Sequence, residues 1–413
     1  MIGGVNVKKK YLVLLIVIVT TMIPMGCSKV SSENVVLRTE KIIIDDNTKD
    51  KKNEDFQIKM VAETDPVDPG TIYNILGVKE NIIQLIYPYQ SNDIREVRVG
   101  KLDSDNKVNW TSKNVDWEIY TDYSYYGLYA TKLKKDNKVH TVNKDGELEE
   151  LVGYTNLIKE QGNVFDTHSS YRNGTIDVAR FGNEEDSKLA VIDIPNEKYY
   201  VIPDELAHNN KDGVLRQVLG IEGNRIYVNY QYLEGYYSQG FDPSKEHNTK
   251  NTIGYIENDK FTKILSEDDG TKIDNMGEML YENGRILFSG LAEGKNGIWN
   301  YDIDNKKLTK IVYVESETFF EFHINENKDK VVISSLKPAL EKDEKQNNTL
   351  SIANINDKLE ITNIQNIVTN TQERHHKAFA GWANGGKTFY IRSTIADENY
   401  NATNNLEIYN IVE

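Results

Sequence analysis

The 413-residue chain has one cysteine, a formal charge of −15 and 38% hydrophobic residues. A single thiol makes no internal disulfide, and the length suits two or three average domains or one large repeat. The acids are scattered and no basic face is visible, which excludes a nucleic-acid binder, because phosphate recognition needs such a face. Tyrosine is abundant, 25 residues against 11 phenylalanines, and it suits half-exposed strands where the ring packs and the hydroxyl stays wet.

At the start of the chain, Lys8, Lys9 and Lys10 precede the apolar run Tyr11–Val19, and the segment ends Pro24-Met25-Gly26-Cys27. A positive region, an apolar run and a small residue before a candidate cleavage site form a secretory signal. The only cysteine, placed directly after Gly26, resembles the lipobox of bacterial lipoproteins. That resemblance covers residues 1–27, with Pro24 and Met25 standing where Leu and a small residue are usual. It implies a signal peptide over 1–26, acylation of Cys27, and a cell-membrane address with the rest of the chain on the extracytoplasmic face. An uncleaved membrane anchor is the alternative and gives the same side of the membrane. Removing residues 1–26 deletes three lysines and no acid, taking the charge from −15 to −18. Membrane contact would then rest on the acyl chains rather than on lipid headgroups. Residues 27–55 read as a polar, flexible tether interrupted by two strand-like pieces, Val35-Val36-Leu37 and Ile42-Ile43-Ile44.

Beyond the tether, one pattern returns. Gly297–Ile311 alternates apolar and polar positions on either side of an Asp/Asn turn, the mark of a β-hairpin. Copies occur at Val97–Trp110, Val139–Leu151, Leu189–Ile202, Ile253–Leu265, Ile298–Ile311 and Leu350–Ile364, and a seventh, Leu406–Val412, has only its first strand. From Val97 to Leu406 the six intervals span 309 residues, about 51 each. A further strand pair precedes many copies, as in Leu280–Ser289, Gly220–Asn229, Phe322–Ser334 and Trp382–Arg392. Four strands per unit of this length is the period of a propeller blade. Units such as FAGWANGGKTFYIR followed by NLEIYNI resemble the TolB-type, WD40-like repeats of bacterial propellers, over about residues 70–413. The expected fold is therefore all-β: a single β-propeller over 56–413, with seven four-stranded blades. The unpaired last strand calls for an N-terminal partner, either Val35–Ile44 or Phe56–Val61. Six blades, if the Val97 and Val139 copies merge, or a β-sandwich are the alternatives.

Recognition residues are expected where loops break the repeat. The longest interval, Leu189 to Ile253, carries its excess in Tyr230–Lys250, with Tyr230, Tyr232, Tyr236, Tyr237 and Phe241. A second aromatic cluster holds Trp117, Tyr120, Tyr123, Tyr125, Tyr126 and Tyr129. Tyr232, Tyr236, Tyr237, Tyr123, Tyr125 and Tyr126 are the candidate ligand-binding residues, as stacking faces for sugars or anchors for a peptide; strand packing is the other use of such rings. Gly235–Gly240 has one residue too many for a serine nucleophile elbow. Ser266–Ile273 resembles one Asp-box of sialidase propellers, a structural turn. His375 and His376 are adjacent and would point to opposite faces of a strand, and Asp302 and Asp304 read as hairpin-turn residues. No catalytic residue, metal or cofactor is expected, although a calcium ion in a propeller channel stays open. The expectation is a monomeric, non-catalytic, membrane-tethered module binding a protein, peptide or glycan. The alternative is a propeller glycosidase or polysaccharide lyase using loop carboxylates, for which two carboxyl groups about 5–10 Å apart on one face would speak.

Overall fold

The structure is a computed structural model. It describes Ile43–Ile44, residues 56–64, the strands between 72 and 132, and 138–412 apart from 143–147, 163, 170–175, 184–185, 210–212, 234–248, 267–272, 275–276, 315–317, 338–346, 371–374 and 398–401. Seven antiparallel sheets follow one another along the described chain. The first holds Ile72–Leu76, Ile82–Ile86, Ile94–Leu102 and Val108–Asp116. The second is built of short strands from Glu118–Ile119 to Leu148–Glu150. The third runs from Val164–Ser169 to Lys198–Ile202. The fourth centres on Gly213–Glu222, Arg225–Leu233, Thr249–Glu257 and Lys260–Ser266, with the two-residue strand His208–Asn209 added at one edge. In the fifth, Ile273–Asp274 and Met279–Glu282 both pair with Arg285–Ala292, followed by Lys295–Asp302 and Lys307–Val314. The sixth holds Phe319–Ile324, Lys330–Lys337, Asn347–Ile355 and Ile361–Asn370. The seventh holds His375–Ala383, Thr388–Ala396 and Ala402–Val412.

Local chemistry explains the hairpins. Asn283-Gly284 joins two strands of the fifth sheet with φ of 45° and 73°, and Glu282 faces Arg285 across the turn. Asn258-Asp259, with φ of 51° and 56°, does the same in the fourth sheet between Glu257 and Lys260. Two consecutive positive φ values define the turn whose twist matches paired strands, and Asn, Asp and Gly adopt them at least cost.

Each strand then uses both of its faces. In the fifth sheet Ile286, Phe288, Trp299 and Tyr301 pack on Leu219, Tyr227, Ile253 and Leu265 of the fourth. Their neighbours in sequence, Leu287 and Ile298, together with Val312 of the adjoining strand, pack on Phe322, Val331 and Ile333 of the sixth. That is the period-2 alternation of a strand, and it makes the sheet the filling between two others. The third and fourth sheets meet in the same way through Val178, Val191, Val218 and Val228. The sixth and seventh meet through Val332, Ile352, Phe389 and Ile391. His375–Ala383 of the seventh lies against Ile72–Leu76 of the first. Sheets stacked face to face from the third to the seventh, with the seventh lying against the first, form a propeller-like arrangement.

Gln57–Glu63 pairs antiparallel with Ala402–Val412, Gln57 opposite Val412 and Glu63 opposite Glu407. The seventh sheet thus combines the last described strand with one that precedes the first sheet. Of the two leftover apolar pieces, this is the later one; from the earlier piece, Ile43–Ile44 pairs instead with Val312 and Tyr313 at the outer edge of the fifth sheet.

A helix, Val152–Gln161, breaks the all-strand expectation between the second and third sheets. Tyr154, Leu157 and Ile158 stand at helical spacing and pack with Val139, Phe181 and Ile192. Gly162, at φ 110°, ends the helix and donates its N–H to the Ile158 carbonyl at 3.1 Å.

Candidate functional site

The seam between the sixth and seventh sheets opens at its turn end into a cleft of about 360 Å³. Asn325, buried behind the cleft, braces one wall. Its Oδ1 accepts the backbone N–H groups of Asp329 and Lys330, both at 3.0 Å, and its Nδ2 donates to Asp329 Oδ1 at 2.6 Å and the Gly386 carbonyl at 3.3 Å. The opposite wall is the tight turn Asn384–Gly386. Gly386 sits at φ 77°, and a Cβ there would come 2.3 Å from Asn325 Nδ2, so the two walls close only around a glycine. Asn327 Nδ2 spans the gap to the Gly385 carbonyl at 2.5 Å. The floor is the end of the last long strand, Asn410, Ile411 and Val412, tied down by the Ile411 N–H donating to Lys387 O at 2.9 Å.

The lining carries two ammonium groups, Lys330 and Lys387, one carboxylate, Asp329, and the carboxamides of Asn327, Asn384 and Asn410. Lys330 is buried, with Nζ 3.6 Å from Asp329 Oδ2 and 5.4 Å from the centre of the Phe56 ring. Among the described residues, no serine, cysteine or histidine lines the cleft. It offers hydrogen bonds and charge.

The opposite end of the same seam is charged but closed. Lys377 Nζ lies 2.5 Å from Glu407 Oε1, and Tyr409 donates its hydroxyl to Glu407 Oε2 at 2.7 Å. Burial, and then the bond to Glu407, push the Tyr409 hydroxyl well above the usual phenol range, so it keeps its proton. Asn405 Nδ2 donates to Glu63 Oε1, and Leu406 N–H donates to Thr64 Oγ1 at 2.9 Å. The Asn405–Glu63 and Leu406–Thr64 bonds fasten the N-terminal strand to the last one, while Lys377 braces that last strand through Glu407.

Of the aromatic candidates, Tyr232 stands half-buried near the end of Arg225–Leu233, opposite Lys250, where the chain enters the 234–248 segment. Tyr236, Tyr237, Tyr123, Tyr125, Tyr126 and Cys27 lie outside the described residues. Tyr230, from the same aromatic stretch, is core: fully buried, it donates to Leu206 O at 2.5 Å and meets Phe261 edge-on at 4.7 Å. The Asp-box resemblance falls on a link between sheets, with Ser266 and Ile273 both buried. Asp302 is a turn cap, accepting the Asn305 N–H at 3.0 Å and Arg285 Nη2 at 2.7 Å. The backbone bond from Asn305 first, then its side chain, hold this carboxyl below its ordinary value. Among the described residues, no three His, Cys, Asp or Glu side chains gather as a metal site.

No family model and no curated protein matches the chain. Solved structures similar to it include oligogalacturonate lyase from Vibrio parahaemolyticus, at 11% identity over 79% of this chain and 85% of that one, with a TM-score of 0.41. Another is a protein assigned as TolB from Agrobacterium tumefaciens, at 10% identity over 73% and 94%, with a TM-score of 0.37. A puromycin hydrolase aligns at 11% identity over 82% of this chain and 53% of that one, with a TM-score of 0.42. Strand order and the packed seams, rather than these likenesses, identify the propeller-like architecture.

Proposed function

We propose that the chain is a lipid-anchored, extracytoplasmic propeller of seven blades that serves as a binding or scaffold module for a protein, peptide or glycan. The observation that carries this reading is the insertion between Leu233 and Thr249, which are directly paired in the fourth sheet. An insertion between two directly paired strand positions is a connection between rigid elements, and recognition usually resides in such connections. Tyr236 and Tyr237 belong to that loop, and Tyr232 stands at its root. Cys27 would hold the chain to the membrane through its acyl chains.

Crosslinking in intact cells, followed by capture, tests the reading. The native chain should retain one partner that Tyr236→Ala/Tyr237→Ala loses, and labelled palmitate should enter the native chain but not Cys27→Ser. Equal recovery by both forms would remove the loop from recognition. Absence of label in the native chain would remove the anchor.

A further inference from the structure

An outermost strand presents a row of unpaired N–H and C=O groups and is a template for another strand. Lys307–Val314 is the outer strand of the fifth sheet, and at Val312 and Tyr313 that template is taken by Ile44 and Ile43, antiparallel. We infer that this edge is a docking strip for the chain's own tether, which adds a short strand to the fifth sheet and so sets where the anchored segment leaves the body. The juxtaposition is a strand addition, in which main-chain bonds supply affinity and alternate side chains supply register.

The chemistry of both partners suits it. Ile42-Ile43-Ile44 is the one run of three β-branched residues in the tether, the residue type that favours a pleated surface. On the receiving side the Tyr313 ring has two ammonium groups close to its centre, Lys310 at 4.1 Å and Lys295 at 4.6 Å. Asp45 and Asp46 follow Ile44 directly in the sequence, acids of the sign those ammoniums attract.

The consequence for the membrane rests on the reading of Cys27 as the anchor. With Ile43 held, only residues 28–42 separate the anchor from the body, a reach of roughly 50 Å at full extension. Released, the separating segment is 28–55 and the reach roughly 90 Å. The docked tether would also bring the membrane to the side of the fifth sheet rather than the seventh, where the chain enters its closing strand.

The test uses cysteine pairs in the full chain carrying Cys27→Ser, so that it does not depend on lipidation. Ile43→Cys with Tyr313→Cys places two thiols directly opposite, within disulfide reach for an antiparallel pair. Ile44→Cys with Tyr313→Cys shifts the register by one residue and turns the thiols to opposite faces. Mild oxidation should give an intramolecular disulfide in the first pair and at least tenfold less in the second. In a separate chain, Ile43→Pro/Ile44→Pro should speed hydrogen exchange at Val312 or Tyr313 by at least tenfold, because proline cannot donate to the ladder. Equal crosslinking of both pairs, or exchange unchanged by the prolines, overturns the proposal. A disulfide found only between two molecules overturns it in favour of a second copy on the edge. Palmitate labelling of the native chain is read independently, so loss of the anchor and loss of the docking remain distinguishable.

Discussion

The seam between the fifth and sixth sheets and the seam at the seventh do the same job with different chemistry. The former joins neighbours in the chain through an apolar face on each side, with Leu287, Ile298 and Val312 against Phe322, Val331 and Ile333. The seventh sheet has to join strands 342 residues apart, and there it adds the Asn405–Glu63 and Leu406–Thr64 bonds, with Lys377–Glu407 bracing the last strand from within the sheet. Hydrophobic packing is non-directional and tolerates small slips. Hydrogen bonds and ion pairs are directional, and here they fix one register for a strand that no short turn positions. The difference teaches that sequential seams supply stability while the closing seam supplies register.

The largest effect should come from a sequential seam. Trp299 is fully buried between the fourth and fifth sheets, with its Nε1 donating to Gly290 O at 3.1 Å. Trp299→Ala should cost about 3–5 kcal/mol, the usual range for truncating a buried aromatic. Urea unfolding would show this as a lowered midpoint. A loss under about 1 kcal/mol would mean that the seam is not the close-packed interface its burial implies.

At the closing seam, Glu407→Ala removes the carboxylate 2.5 Å from the Nζ of Lys377, a lysine whose side chain is only 18% exposed. It also removes the acceptor of the Tyr409 hydroxyl. The expected cost is about 3 kcal/mol, at the lower end for breaking a buried pair. The readout specific to closure is hydrogen exchange. Amides of Gln57–Glu63 should exchange faster than those of Arg285–Ala292, and equal acceleration in both strands would contradict a local closing role.

A third kind of seam, sealed by the helix, gives a pH-dependent signature. Burial pushes Asp177 up to about 7, although its bond from the Tyr154 hydroxyl, at 2.5 Å, pulls the other way. The folded chain therefore retains a proton that the unfolded chain loses near 3.8. Stability from this group is present below that value and drains as pH rises through about 7. Asp177→Asn should remove the slope and stabilise the protein above pH 7 by on the order of 1–3 kcal/mol. His323 slopes the other way, since burial holds it at about 4 and folding weakens as pH falls below 6.5. Urea midpoints at pH 5 and pH 8 separate the two, and parallel curves for native chain and variant would reject the Asp177 account.

How much of this was legible in the sequence follows the same divide. The hairpins were legible because their causes are local. Asn283-Gly284 makes its turn from two residues, and Ile298, Trp299 and Tyr301 reveal two faces by alternation. Six copies and a lone last strand therefore pointed to stacked sheets and an N-terminal partner. The helix was hidden because Tyr154, Leu157 and Ile158 are also acceptable strand residues, and only their seat against Phe181 and Ile192 decides between the two. The cleft was hidden for another reason. Asn327, Asn384 and Asn410 come from three separate elements, and nothing in any one of them marks the other two. The aromatic signal misled at Tyr230, where composition alone does not distinguish a core ring from a stacking face.

The smallest effect sharpens the comparison most. Lys328 Nζ lies 2.7 Å from Glu282 Oε1, an ion pair between turns of the fifth and sixth sheets, with the lysine side chain 51% exposed. Beneath it the apolar seam already joins these sheets, and the Asn300 carboxamide already donates across to Lys358 O at 2.7 Å. Lys328→Ala should therefore cost no more than about 0.5–1 kcal/mol, and less in high salt, as for other solvent-exposed pairs. Double-mutant cycles for Lys328–Glu282 and Lys377–Glu407 place the two seams on one scale. If the exposed pair couples as strongly as the buried one, charge would matter equally in both seams, and the division between stability and register would fall. If it couples several-fold less, the ionic contribution is concentrated in the seventh sheet, on the strand that also receives Gln57–Glu63.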